Sequence, residues 1–144
     1  MEKLLNTSEA GKNISSQLTK IHKGNLTNLK KIGTELKKEE EEIIKQKNIM
    51  NKDELEKKLI SLRKKASDYQ KNRKEKNNEL SKKRLALTSK LINLIKPILA
   101  DYATKNSISI IFQKKNIIIG KTELDITNDI LVIINEKHKK INLE

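Results

Sequence analysis

The short stretch Asn48-Ile49-Met50-Asn51 decides the fold, because it separates two long segments that both carry a helical pattern. Before it, branched apolar residues recur at intervals near 3.6 residues: Ile14, Leu18, Ile21, Leu29, Ile32, Leu36 and Ile43. After it, a second stripe has the same period: Leu55, Leu59, Leu62, Ala66, Tyr69, Leu80, Leu87, Leu91, Leu94 and Ile98. A short link between two amphipathic helices predicts an antiparallel hairpin over residues 7–106, with its tip near 48–51.

Local signals support both helix starts. Thr7 or Ser8 is a suitable N-cap for the first helix, and Glu9 adds negative charge to its first turn. Asn51, with Glu54 three residues later, has the pattern of a capping box. Both helices also contain a polar level, which is formed by Gly24, Asn25, Thr27 and Asn28 in the first helix and by residues 71–79 in the second. These levels predict a flexible waist, or else an ordinary solvated stretch of coiled coil.

The pattern changes after residue 106. Short β-branched runs on either side of Lys114-Lys115-Asn116 predict a β-hairpin, and Thr127 is placed to cap a closing helix. Two strands and one helix cannot bury so many aliphatic side chains, so residues 107–137 are expected to pack against other copies of the chain. The residues assigned to this oligomerisation body are Ile108, Ile110, Phe112, Ile117, Ile119, Ile130 and Ile134.

The composition excludes several classes of protein. The chain has 144 residues, of which 35% are hydrophobic and 35% charged, so a narrow apolar seam is favoured over a globular core. The net charge of +13 favours anionic partners, although the excess of lysine over arginine is also typical of an AT-rich genome. No apolar run is long enough for a membrane span, and Met1–Leu5 lacks the apolar core of a signal peptide.

No catalytic, cofactor or metal site is predicted. The chain has no cysteine, which excludes thiolate chemistry and cysteine-based zinc sites. Its two histidines, His22 and His138, lie in lysine-rich surroundings, and the four consecutive glutamates at 39–42 point to different helix faces. The glycines are isolated and form no phosphate-binding loop. An enzyme is therefore not expected.

Nucleic acid is a weaker candidate partner than the charge suggests. Residues 52–84 hold 13 basic and six acidic residues, but the two kinds are interleaved as on a solvated helix. Aromatic residues that could stack on bases are nearly absent. A cytoplasmic lysine-rich coiled-coil or nucleic-acid-binding protein remains the alternative, and a scaffold that docks one folded partner is a third possibility.

Several motifs, in order, resemble the Skp/OmpH family of periplasmic chaperones. The stretch Ser8-Glu9-Ala10-Gly11-Lys12 is similar to the family's start of helix one, and Lys23-Gly24 follows within that helix. Leu55–Leu59 comes just after the tip, and Asp125-Ile126-Thr127 precedes the last helix. Each motif alone is weakly specific, whereas their order and spacing over about 130 residues are much more so. The helix-start residues taken from this resemblance are Ser8, Gly11, Lys12, Asp125 and Thr127.

The resemblance implies a mostly helical α+β fold and a jellyfish-like homotrimer. Three helical hairpins, the tentacles, would project from a small body and surround unfolded outer-membrane β-barrel proteins without ATP. It also implies a periplasmic location, with anionic lipid or lipopolysaccharide as further partners. The candidate electrostatic contacts are Arg73, Lys82, Lys83 and Arg84.

One departure from the family pattern concerns residues 1–6. Family members have a signal peptide and a first body strand before the helix-one motif, and neither is found in this sequence. Residues 1–6 are therefore expected to be a remnant, and trimerisation of this chain is left open. The last segment, residues 138–144, is expected to be a basic tail.

Overall fold

The computed structural model describes residues 1–142, and helices account for most of them. The four α-helices are α1 (Glu2–Thr7), α2 (Glu9–Gln46), α3 (Lys52–Lys105) and α4 (Thr127–Lys137). Two single turns of 3₁₀ helix, Lys114–Asn116 and Thr122–Leu124, lie between α3 and α4. The prediction of two long helices is confirmed.

Residues 47–51 form the turn between α2 and α3, and this turn is called the tip below. The backbone N–H groups of Ile49 and Met50 donate to the carbonyl of Gln46 over 3.0 and 3.1 Å. Asn51 Oδ1 accepts the N–H of Glu54 at 2.8 Å, which is the cap that the sequence predicts. These bonds hold the turn together between the two helices.

The chain divides into two compact units, each of which is described separately. The terminal unit comprises Met1–Thr19 and Lys82–Glu144, and the hairpin unit comprises Lys20–Ser81. In the hairpin unit, the contacts between α2 and α3 include three that show their alignment: the Tyr69 ring lies beside Gly33, Lys65 Nζ lies 2.7 Å from Glu39 Oε1, and Lys58 Nζ lies 3.5 Å from Gln46 Oε1.

These contacts fix the register of the hairpin unit. The residue numbers of each pair add up to 102 or 104, as expected for antiparallel helices that keep one alignment. The same sums place residues 24–28 opposite residues 74–80, so the two polar levels noted in the sequence lie side by side. Of residues 20–81, only Leu29 and Ile43 are buried, and the apolar seam of this unit is thin.

The core of the terminal unit draws on all four helices. Its α3 residues are spaced by four, four and three positions, which places them on one helix face. Its buried apolar residues are Leu4, Ala10, Ile14, Leu18, Leu87, Leu91, Ile95, Ile98, Ile130, Ile134 and Ile141. Pro97 is exposed on the other side of α3, which continues past it to Lys105.

The predicted β-hairpin is wrong for this chain: none of residues 1–142 forms a β-strand. The local preference for an extended backbone is present, with φ −73° and ψ 131° at Gln113 and φ −109° and ψ 121° at Ile117. A strand, however, also needs a neighbouring strand to accept and donate its hydrogen bonds. The runs at 108–112 and 117–119 make no such ladder with each other.

Residues 2–6 lie in α1, in which Leu4 is buried. The start of α4 differs from expectation. Thr127 does not cap α4, because Ile126 holds the N-cap position without a side-chain cap. Asp125 takes that role instead: its Oδ1 accepts the N–H of Thr127 at 3.1 Å and also its hydroxyl. Of the predicted basic tail, Ile141 is buried, while residues 143 and 144 lie outside the described residues.

Candidate interaction surface

The most exposed apolar surface of the terminal unit is residues 108–119, which we call the isoleucine segment. Ile118 and Ile119 are 98% and 90% exposed, and Phe112 is 65% exposed. Ile110, Ile111 and Ile117 are exposed as well. Soluble proteins rarely leave contiguous apolar residues in water unless another surface covers them. The isoleucine segment is therefore the candidate assembly surface.

The start of the isoleucine segment is fixed by the end of α3. Ser107 has a φ of 54°, and its N–H donates to the Thr104 carbonyl. The N–H of Ile108 donates to the Ala103 carbonyl over 2.9 Å. This pair of bonds is a Schellman motif, which ends a helix and turns the chain away from its axis. It is usually formed by glycine, because other residues pay a steric cost at positive φ.

The middle of the isoleucine segment is tied to the start of α4 by an ion pair. Lys114 Nζ lies 2.6 Å from Asp125 Oδ2, and the same carboxylate caps α4 by accepting the N–H of Thr127. The Lys114 ammonium, together with the Thr127 hydrogen bonds, holds the pKa of Asp125 well below its ordinary value. Asp125 therefore stays ionised at any neutral or mildly acidic pH and keeps both contacts.

Two residues of the predicted oligomerisation body belong instead to the core of the terminal unit. Ile130 and Ile134 are fully buried on the inner face of α4. On the same helix, Asp129 Oδ2 accepts the Tyr102 hydroxyl at 2.7 Å, and this hydrogen bond raises the pKa of Tyr102. These contacts attach α4 to α3 and leave the isoleucine segment, rather than Ile130 and Ile134, facing solvent.

The helix-start residues Ser8, Gly11 and Lys12 lie at the junction of α1 and α2. Ser8 Oγ accepts the N–H of Gly11 at 3.1 Å, so Ser8 is the N-cap of α2. A Cβ on Gly11 would lie only 1.8 Å from the Leu5 carbonyl oxygen. Glycine is thus required here for the close approach of the α1 backbone, whereas the Lys12 side chain is exposed.

Three hydrogen bonds that hold the termini together could not be predicted from the sequence. Asn135 Oδ1, on α4, accepts the N–H of Glu9 at 2.8 Å and so satisfies the first turn of α2. Lys3 donates to Asn128, and Gln17 donates to the Ile141 carbonyl. Each bond joins residues more than 120 positions apart, and no local pattern marks such pairs.

The basic residues singled out as electrostatic contacts are all exposed: Arg73 in the hairpin unit, and Lys82, Lys83 and Arg84 in the terminal unit. None of them forms an ion pair with a described residue. The hairpin unit as a whole carries 18 basic and 11 acidic residues, a net charge of +7. Its surface potential therefore favours anionic partners.

Two other kinds of site are not found. Within residues 1–142, no cluster of three or more histidine or acidic side chains could hold a metal ion. Over the same range, no helix has both the length and the apolar content that crossing a membrane requires.

Comparison with known proteins places the chain in a family. The family described as "Outer membrane protein (OmpH-like)" matches residues 1–134. None of the curated proteins matches the chain significantly. A crystal structure of a proposed outer membrane chaperone (OmpH-like) from Caulobacter crescentus CB15 superposes with a TM-score of 0.94 at 17% identity. The match covers 99% of this chain and 85% of the other, so the fold is shared at low sequence identity.

The family match extends from α1 through Ile134 of α4, and so includes both units. The resemblance based on the helix-start motifs is confirmed. The chain belongs to the OmpH-like family, which is a family of chaperones.

Proposed function

We propose that this protein is an ATP-independent holdase that binds unfolded outer-membrane β-barrel proteins in the periplasm and prevents their aggregation. The observation that carries the proposal is the pairing of an exposed assembly surface with a long, positively charged hairpin in a member of a chaperone family. Neither unit contains a phosphate-binding motif, in keeping with binding without nucleotide hydrolysis.

The isoleucine segment supports assembly into a homotrimer. Burying an isoleucine-sized side chain contributes roughly 1.5–3 kcal/mol, so covering the segment's six exposed apolar residues is worth roughly 10 kcal/mol before the cost of association. The backbone is extended at Gln113 and Ile117, on either side of the 3₁₀ turn, and strands from neighbouring copies would pair with the stretches beside that turn. Both apolar burial and backbone hydrogen bonding would therefore favour association of the isoleucine segments of different copies.

The hairpin unit supports capture of unfolded, acidic polypeptides. Its net charge of +7 attracts acidic segments, and scattered exposed residues such as Leu26 and Ile60 offer weak apolar contacts. Weak contacts of both kinds hold a chain without selecting one sequence. Binding of this kind suits clients that must later be released without an energy source.

Assembly is tested by the mass of the protein in solution. We expect a species of three chains of 16.6 kDa. Ile119→Glu should reduce it to the monomer, because the side chain is 90% exposed in the single chain and a charge there opposes only assembly. Val132→Glu, also at an exposed apolar residue but on α4, is the matched control and should leave the mass unchanged. A monomeric unmodified protein would refute the trimer.

Chaperone activity is tested by light scattering when a urea-unfolded outer-membrane β-barrel protein is diluted into buffer. The protein should suppress scattering equally with and without ATP, and suppression should weaken as added salt shortens the screening length below about 8–10 Å. Unchanged scattering would refute the holdase. Salt-insensitive capture together with tight binding of duplex DNA would instead favour the lysine-rich nucleic-acid-binding alternative.

A further inference from the structure

The isoleucine segment is attached to the terminal unit at its start and at its middle. Its start is held by the backbone bonds that end α3. Its middle is the single turn of 3₁₀ helix at Lys114–Asn116, and the ion pair between Lys114 and Asp125 joins this turn to the start of α4. The ion pair therefore helps to set the position of the apolar side chains on both sides of the turn relative to α4.

The carboxylate of Asp125 is ordered by contacts that do not involve Lys114. Its Oδ1 accepts both the N–H and the hydroxyl of Thr127, whereas its Oδ2 faces Lys114 Nζ. The side chain of Asp125 is 28% exposed, and that of Lys114 is 80% exposed. Because α4 already fixes the acid, forming the pair costs the ordering of the lysine side chain and its turn alone.

Other charged residues near the turn do not share this contact. Lys115 and Lys121 are exposed, and so is Glu123. None of the three forms an ion pair with a described residue. Lys115 lies on the same turn of 3₁₀ helix as Lys114 and carries the same charge. The pairing with Asp125 is thus a property of position 114 and not of the turn's charge in general.

We propose that Asp125 is a positioning residue for assembly, which by pairing with Lys114 holds the isoleucine segment of the single chain in the arrangement that meets other copies. This inference rests on the proposed function, because it concerns assembly through that segment. A segment that samples many arrangements loses them on association, and this loss weakens binding. When only a fraction of the chains is competent to bind, the apparent affinity falls by that fraction. The ion pair raises this fraction before any two chains meet.

Substitutions at the pair separate positioning from the capping of α4. Asp125→Asn keeps a side chain that caps helices well but removes the charge that attracts Lys114. Lys114→Gln removes the opposite charge and leaves the cap as it is. Lys115→Gln is the matched control, since it removes the same charge from the same turn at a residue that is not paired with Asp125. Lys114→Arg keeps the charge and should assemble as the unmodified protein does.

Sedimentation of the full chain over a range of protein concentrations measures assembly. An exposed ion pair contributes a factor of about two to five to an equilibrium constant, and each of three chains would contribute it once. The concentration at which half of the trimer dissociates varies as the square root of the trimer dissociation constant. It should therefore rise about three- to tenfold in Lys114→Gln and in Asp125→Asn. The double variant should show no further rise, and Lys115→Gln should leave the concentration unchanged.

The order of the isoleucine segment is measured separately, in chains that carry Ile119→Glu and are expected to be monomers. The heteronuclear NOE of residues 110–118 should fall when Lys114→Gln is added and should stay the same when Lys115→Gln is added. The NOE of α4 should be equal in all three chains, because the contact between Asp125 and Thr127 is retained.

Four results would overturn the proposal. An unchanged half-dissociation concentration in Lys114→Gln would leave the trimer standing and show that the ion pair does not position it. An equal rise in Lys114→Gln and Lys115→Gln would show an effect of net charge alone. A rise without a fall in the NOE would place the role of Lys114 in a contact between chains. Unmodified protein that is monomeric at every concentration would remove the proposed trimer together with this inference.

Discussion

Replacing Gly24 by alanine tests whether the paired polar levels of the hairpin unit act as a flexible waist. A Cβ built on Gly24 meets no atom within 4 Å, so the substitution adds neither a clash nor a packing contact. What remains is the difference in helix propensity, about 1 kcal/mol in favour of alanine. Since 1.4 kcal/mol corresponds to a factor of ten, the equilibrium for local opening should fall about fivefold.

Amide hydrogen exchange reports this opening directly. In the unmodified protein, we expect faster exchange at residues 71–79 than at either 55–66 or 87–98, because 71–79 contains no apolar side chain that could pack against α2. In Gly24→Ala, exchange should slow about fivefold at residues 20–28. It should also slow at 74–80, which the hairpin register places opposite, if the two levels open as one unit.

Gly33→Ala is the matched control, being the same substitution on the same helix. Its Cβ would make an ordinary 3.6 Å contact with Tyr69 Oη, next to the Glu39–Lys65 ion pair that already joins the helices. It should slow exchange near residue 33 and leave 74–80 unchanged. Uniform protection along α3, or protection that decays smoothly towards the tip, would show that there is no waist. An effect of Gly24→Ala confined to its own helical turn would show that the two levels open independently.

Three further substitutions test the terminal unit. Gly11→Ala should lower the free energy of unfolding by about 1–3 kcal/mol, measured in urea, because its Cβ would collide with the Leu5 carbonyl; equal stability would mean that α1 can move away. Ser107→Gly should raise the stability by about 0.5–1 kcal/mol in the same assay, by relieving the positive φ, and a loss would show that the serine side chain matters. Lys114→Met should raise the pKa of Asp125 towards its ordinary value of about 3.9, as followed by carboxyl NMR. Because the folded-state pKa is depressed, the stability that Asp125 contributes is present above about pH 4 and is lost as the pH falls below it, and a pH-independent difference between the two proteins would contradict this.

The sequence was most informative where structure depends on near neighbours. The 3.6-residue spacing of apolar side chains was enough for α2 and α3, and the Asn51–Glu54 spacing was enough for the cap between them. Both signals come from residues within a few turns of each other. The tip could therefore be located without knowledge of the rest of the chain.

The failures occurred where structure depends on distant residues. β-Branched runs agree with the extended backbone at Gln113 and Ile117. Pairing into strands, however, needs a second edge, which residues 1–142 do not supply. The α1 helix is six residues long and depends on packing against α4. Asp125, rather than Thr127, is the cap, and its carboxylate also pairs with Lys114, eleven positions earlier.

The fixed pairing of residue numbers in the hairpin unit also restricts how the length of the protein can change during evolution. One residue inserted into α2 alone would rotate everything beyond it by about 100° and separate Glu39 from Lys65. Insertions or deletions preserve the contacts between the helices only if α2 and α3 both gain or lose about seven residues at matching distances from the tip. Natural variants of different size should therefore differ by paired, near-heptad steps.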